Sequence, residues 1–203
     1  MRRFTRGALV VILLTTSAGV SAAQETGAPM FKAPYRAFTT HEFGAALSDY
    51  EGVSFALEGF YRYGTGQNDL SLRGGFSDLE DELGNQVLVG GDFRTQILTY
   101  SDAIPLDGSL TVGFGASIGD GPDFFRLPVG ISLGRRFEVE GSETTFVPYV
   151  HPVIVPRLGS GDDDVDFALG MGVDMRLGGS LAVRASGGLG DIEGVGLGLA
   201  LIR

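Results

Sequence analysis

His151 is the residue of this chain whose type and surroundings come nearest to a catalytic group. It lies in a row of polar side chains that also contains hydroxyl groups, and a histidine beside a serine is the pairing of nucleophilic catalysis, in which the ring takes the hydroxyl proton. The serines on that row are Ser54, Ser71, Ser117, Ser132 and Ser186. Ser117 and Ser132 are each flanked by glycines in the order Gly-x-Ser-x-Gly, but both lie inside predicted strands, so none of the five lies in a Gly-x-Ser-x-Gly turn. We therefore assign no catalytic residue and interpret His151 as a hydrogen-bonding side chain.

The sequence does not indicate a metal site or an acid–base pair either. One histidine with scattered carboxylates lacks a coordination spacing, and the chain contains no cysteine. Residues 159–164 resemble a calcium loop only loosely, without its central glycine or final glutamate. Glu58 and Asp92 could form an acid–base pair, but arginines in the same row would keep both carboxylates ionised. We predict no metal site and no cofactor.

The elements that carry these residues repeat one pattern, in which apolar residues alternate with small or polar ones. A period of two is typical of β-strands, because successive side chains point to opposite faces. The pattern predicts ten strands, at residues 37–47, 52–63, 67–76, 86–100, 109–119, 124–137, 145–157, 164–177, 180–188 and 193–202. We expect an all-β fold, an antiparallel up-and-down transmembrane β-barrel. Even strand numbers are usual in such barrels, so eight is the alternative, reached if two short neighbours merge.

The polar row predicts what fills the interior. Its basic residues are all arginine, and no lysine follows Lys32. Arginine suits confined ion pairs, because its planar group holds several donors in fixed geometry. We predict a narrow lumen crossed by arginine–carboxylate pairs. Its polar network comprises Glu58, Arg62, Arg73, Asp92, Arg94, Arg126, His151, Arg157, Asp166, Asp174, Arg176 and Arg184.

Aromatic residues on the apolar row fall into two groups, one near each end of the strands. Aromatic girdles of this kind lie at the two interfaces of a membrane. The outer group contains Phe55, Phe76, Phe125 and Phe167. The inner group contains Tyr61, Tyr63, Phe137 and Phe146. The alternative, aromatic core residues of a soluble sandwich, would place the arginine-rich row in water, where lysine and glutamate are the usual choices.

The N-terminus predicts export. Residues 1–23 combine three arginines, a short apolar run and small residues at the end, which is the pattern of a secretory signal peptide. Residues 24–36 are interpreted as a flexible periplasmic leader, and residues 37–203 as the barrel. The net charge of −10 excludes nucleic acid as a partner held by bulk charge.

With its export signal, alternating strands, aromatic bands and polar interior, the chain resembles the small bacterial outer-membrane β-barrel proteins of the OmpA/OmpX type. The resemblance covers nearly all of the mature chain and is one of architecture. It implies a location in the outer membrane of a Gram-negative-type bacterium, with outer-membrane lipid and the barrel-insertion machinery as partners; the extracellular partner stays unknown. Such proteins commonly end on an aromatic residue, whereas this chain ends on Arg203.

Three functions are compatible with that resemblance. The first is a non-enzymatic outer-membrane protein with a structural or surface-interaction role. The second is a narrow channel or transporter of small or apolar solutes. The third is a lipid-acting hydrolase; small barrels of that kind carry a His-x-Ser pairing, but the second residue after His151 is Val153.

Three prolines mark a possible seam in the wall. Pro148, Pro152 and Pro156 lie four residues apart on one row of one strand. Each removes a backbone donor, and residues of equal parity face the same neighbouring strand. The spacing predicts a weakened seam that could admit an apolar ligand; the alternative is that water or a bulge satisfies the bordering carbonyls.

Overall fold

The computed structural model describes residues 31–34, 41–50, 53–79, 84–120, 123–159 and 164–203. The predicted signal peptide lies outside these residues, as do most of the predicted leader and the tips of three acidic loops. Within the described parts of the chain, no helix is both long and apolar enough to cross a membrane.

The described chain forms one antiparallel sheet of twelve strand segments. Their bounds are β1 His41–Tyr50, β2 Val53–Thr65, β3 Asn68–Leu79, β4 Asn85–Leu98, β5 Asp107–Gly119, β6 Phe124–Arg126, β7 Val129–Gly134, β8 Phe137–Glu138, β9 Thr145–Gly159, β10 Asp164–Leu177, β11 Leu181–Gly190 and β12 Gly194–Ile202. Segments β6, β7 and β8 follow one another along β9 and together make one barrel strand. Strand β12 pairs with β1, so the sheet closes into a ten-strand barrel. The ten-strand prediction is confirmed, and the eight-strand alternative is set aside.

The two faces of the sheet differ as the alternation predicts. Along β12, Val195, Leu197 and Leu199 are each about 60% exposed on the outside, whereas Ala200 and Ile202 are buried inside. The same division runs around the ring, so the outer face is an apolar belt and the inner face is polar and small. Since the inner face is enclosed, charged side chains on it are buried.

The eight aromatic residues of the predicted girdles lie near opposite ends of their strands. Phe55 and Phe76 meet edge to face at 5.9 Å at the end that carries the acidic loops. Phe137 and Phe146 stack at 5.2 Å at the other end, where His41 and Arg203 also lie. Tyr63, Phe125 and Phe167 are exposed on the outer face.

Several details differ from the expected elements. Strand β1 continues to Tyr50, three residues beyond its expected end. A register shift between Val53 and Phe55 then turns Ser54 to the exposed side, so Ser54 does not share the inner row with the other serines. A bulge adds one residue to one strand and breaks the alternation that the sequence pattern assumes.

In all three prolines of β9, the backbone nitrogen and carbonyl face the barrel strand that is divided into β6, β7 and β8. The carbonyls of Pro156 and Pro148 accept hydrogen bonds from the N–H groups of Leu127 and Arg135, at 3.0 and 3.3 Å. A residue in an antiparallel ladder turns its nitrogen and its carbonyl to the same neighbour, so the missing donors fall on this side.

The two ladders of β9 differ accordingly. Strand β6 ends just before Leu127, and β7 ends just before Arg135, opposite two of the prolines. On the other side, β9 and β10 pair without interruption over 13 residues. Of the two ladders of β9, the one that carries the prolines is therefore the irregular one.

Candidate functional site

The lumen is the part of this molecule that concentrates buried charge. Three of its ion pairs join residues that lie directly opposite each other on neighbouring strands. Arg94 contacts Asp69 at 2.6 Å and Arg184 contacts Asp174 at 3.1 Å, and both are register partners. Directly opposite side chains stand about 5 Å apart, whereas residues i and i+2 of one strand are about 6.6 Å apart. The pairs therefore form across strands rather than along one.

The partners of two other central carboxylates also lie outside the carboxylate's own strand. Glu58 lies 3.9 Å from Arg73 of the next strand. Asp92 pairs with Lys32. Arg176 donates to the carbonyls of Gly178 and Gly179, in the turn at the inner end, at 3.1 and 2.9 Å.

The other residues of the predicted network lie nearer the end of the barrel that carries the acidic loops. Arg126 is fully buried and donates to Ser117 at 3.1 Å. Arg157 lies directly opposite Asp164, at 3.4 Å, and 3.8 Å from Asp166. Both arginines stand 5.5 Å from the ring of Phe124. This group forms a second charged layer near the acidic loops.

Sequence reasoning missed three charged residues of the central lumen. Glu42 is fully buried and pairs with Arg184 and with Arg62. Asp69 shares the parity of Arg73, so the period of two could have found it. Lys32 belongs to no strand, and no repeating pattern marks it.

Residues 31–34 lie inside the barrel. They belong to the expected flexible leader, but Phe31, Lys32 and Ala33 are only 6%, 8% and 0% exposed. We call Phe31–Pro34 the lumenal segment. Buried apolar side chains of the wall enclose the lumenal segment, which explains why it differs from the expected leader. The segment and the wall together form one hydrophobic cluster, which contains Phe31, Ala33, Val147, Tyr149, Val153, Val155, Ala168 and Ile192.

The side chain of Lys32 completes the charge balance of the central lumen. Its ammonium group forms an ion pair with Asp92 and donates to the hydroxyl of Ser71 at 3.3 Å. Ser71 in turn donates to Asp92, its register partner. With Lys32 in place, the paired central groups comprise five cations and five carboxylates: Lys32, Arg62, Arg73, Arg94 and Arg184 against Glu42, Glu58, Asp69, Asp92 and Asp174. Without it, one buried carboxylate is in excess.

The main chain of the lumenal segment is also held by the wall. The N–H of Lys32 donates to Nδ1 of His151 at 3.1 Å. Three consecutive carbonyls accept hydrogen bonds from three different side chains: that of Phe31 from Tyr149 at 3.2 Å, that of Lys32 from Ser132, and that of Ala33 from Arg94. These four bonds satisfy backbone groups that would otherwise be buried without partners.

The ring of Phe31 rests on two glycines. Gly188, Gly170 and His151 are successive register partners across β11, β10 and β9. A Cβ atom at Gly170 would overlap the Phe31 ring, and one at Gly188 would come within 2.8 Å of it. His151 meets the ring edge to face at 6.2 Å. The absence of side chains at the two glycines makes room for the aromatic ring.

His151 is engaged at both nitrogens, which bears on its chemistry. Because Nδ1 accepts the N–H of Lys32, the neutral ring carries its proton on Nε2, where it donates to Thr111 at 2.8 Å. Thr111 then donates to the carbonyl of Gly130 at 3.2 Å. A nitrogen that holds a proton cannot take one from Thr111, so this geometry does not activate a nucleophile. Among the described residues, no cluster of three or more potential ligands could hold a metal ion.

A small cavity of about 40 Å³, partly open to solvent, remains beside the lumenal segment. It is bordered by Phe31 and Phe60, by the cations Lys32, Arg62, Arg73 and Arg184, and by the acids Asp92 and Asp174. The lumen is therefore narrow and charged beside the segment, and filled where the segment lies.

No protein-family model and no curated protein sequence matches the chain. The solved structures that are similar to it include the following two. A de novo designed transmembrane β-barrel is 18% identical with a TM-score of 0.41, covering 80% of this chain and 94% of the designed one. The β domain of the Bordetella autotransporter BrkA is 14% identical with a TM-score of 0.48, covering 81% of this chain and all of that domain. Values this low assign no function to the chain.

Proposed function

We propose that this protein is an integral β-barrel of a bacterial outer membrane that performs no chemistry and whose lumen is closed by its own N-terminal segment. The apolar belt supports the membrane location. Monomeric soluble proteins rarely expose a contiguous apolar patch larger than a few hundred Å². Here exposed leucine, valine, isoleucine and phenylalanine surround the ring, from Phe43 on β1 to Leu201 on β12. Lipid is the surroundings in which such a face is stable, and a closed barrel leaves no open sheet edge there.

The observation that carries the closed lumen is the position of the lumenal segment. Its side chains and main chain are buried in the barrel and bonded to β3, β4, β7 and β9. The candidate catalytic groups His151 and Ser132 are both occupied in holding it. This supports a structural or surface-interaction role over a hydrolase. Export by the N-terminal signal and delivery by the barrel-insertion machinery belong to the same proposal.

A gated channel is the second candidate. One observation favours it: closure depends on four residues that are not part of the wall and that non-covalent contacts hold in place. A channel of this kind would conduct only after the segment leaves.

Planar-bilayer recording tests the proposal with a matched pair of variants. In Gly170→Ala, the three atoms nearest the added methyl group all belong to the Phe31 ring, so the variant should expel the segment. In Gly198→Ala, the added group meets only ordinary contacts at 3.7–3.8 Å. We expect the wild type and Gly198→Ala to be silent and Gly170→Ala to give steady conductance steps. Steady steps from the wild type would overturn the closed lumen, and silence of all three would remove the segment as its cause.

A further inference from the structure

The wall of the lumen contacts both the main chain and the side chains of Phe31, Lys32 and Ala33. Its donors and acceptor meet four main-chain groups of three consecutive residues, which is how proteins bind an extended peptide. Contacts of this kind are independent of side-chain identity. They give the wall affinity for peptide backbone as such.

Three further features give that affinity a sequence preference. The glycines at 170 and 188 leave space for an aromatic ring. Asp92, with Ser71 beside it, binds a primary ammonium group. The next residue, Ala33, is fully buried in the apolar cluster of the wall, so only a small side chain fits there. The preferred sequence, an aromatic residue followed by a lysine and then a small residue, therefore rests on three separate features of the wall.

The wall would also reject wrong sequences. A glutamate in place of Lys32 would bring a second carboxylate against Asp92, and buried like charges at close range are strongly unfavourable. An alanine in place of Phe31 would leave a cavity over the two glycines and would therefore bind more weakly.

We propose that the lumen is a peptide-binding site specific for an extended aromatic–lysine–small sequence, and that the chain's own Phe31–Lys32–Ala33 occupies it in cis. An external peptide of the same chemistry would bind once that segment is displaced. This inference rests on the proposed function, since it names the ligand class of the lumen that the segment closes.

The test uses the full chain with the double change Phe31→Ala and Lys32→Glu, which alters the segment and leaves the wall intact. The probe is a fluorescently labelled synthetic peptide with the sequence of residues 30–35. Fluorescence anisotropy should give saturable binding to this variant and at least tenfold weaker binding to the wild type, whose site is filled. A probe carrying glutamate in place of lysine should not bind. Adding Asp92→Asn to the variant should abolish binding of the original probe.

Conductance of the same samples separates this inference from the proposed function. Steps from the variant that the peptide blocks would support both. Steps without saturable peptide binding would overturn the peptide site and keep the closed lumen. A variant that is silent and binds no peptide would also overturn the inference, because the contacts named would then not hold the segment. Equal binding of the glutamate probe would overturn the claimed specificity.

Discussion

The pair formed by Lys32 and Asp92 gives the sharpest prediction. Their side chains are each 9% exposed. Removing one partner of a buried pair leaves an uncompensated charge and costs about 3–5 kcal/mol. When the segment leaves, water reaches that charge. The free-energy cost therefore destabilises only the closed state, and the segment leaves the lumen more readily. At about 1.4 kcal/mol per factor of ten, Lys32→Met or Asp92→Asn should raise the open fraction by roughly 10²- to 10⁴-fold.

A cysteine at position 33 measures that opening directly. The natural chain has no cysteine, and Ala33 is fully buried, so a thiol there reacts with a water-soluble maleimide only while the segment is out. In the Ala33→Cys background, the labelling rate follows the open fraction when opening is fast relative to labelling. We expect each single change to speed labelling by about 10²- to 10⁴-fold on this scale.

The double change and a surface control complete the cycle. Lys32→Met with Asp92→Asn removes both charges, so its effect should be at least about tenfold smaller than the product of the single effects. Asp164 pairs with Arg157 but its side chain is 63% exposed. Asp164→Asn should therefore change the rate by about fivefold or less, since exposed pairs contribute under about 1 kcal/mol. Labelling as fast in the unaltered background as in the single variants, or single effects that simply multiply, would refute the reasoning.

The wall and its outer face give the remaining predictions. Leu72→Arg places a charge on the apolar belt near the middle of β3 and should lower the free energy of unfolding from lipid vesicles by about 2–4 kcal/mol, with Leu72→Ala as the smaller control. An unchanged denaturation midpoint for Leu72→Arg would contradict a lipid-facing position. Pro152→Ala returns one backbone donor to the irregular ladder and should slow amide exchange along β7, because a net hydrogen bond contributes about 1 kcal/mol. Slower exchange in β10 alone would assign the seam to the other side.

Much of the fold follows from the period of two. Strand β10 has the predicted bounds, and β9 extends the predicted range by two residues. The pattern is strong because one face is uniformly apolar and the other small or charged. It fails at β1, where a register shift follows Ser48, and at Ser54, where a bulge reverses the sides.

The candidate site was predictable only in part. Alternation placed Arg62, Arg94 and Arg184 in the lumen, but it could not choose their partners. The choice of partner depends on which strands are neighbours and on the register between them. The sequence pattern of a single strand contains neither. Lys32 was beyond such reasoning altogether. A segment of four residues has no period, and its burial depends on an enclosure that other parts of the chain build.

The lipid-facing belt is the claim on which the rest depends, and a single fluorescence measurement tests it. An environment-sensitive fluorophore is attached to Leu197→Cys, at an outer position 63% exposed, or to Gln67→Cys, in an exposed turn. In reconstituted vesicles, the probe at 197 should be quenched by quenchers on lipid chains and protected from aqueous iodide, and the probe at 67 should behave in the opposite way. Equal iodide quenching at both positions would contradict the account.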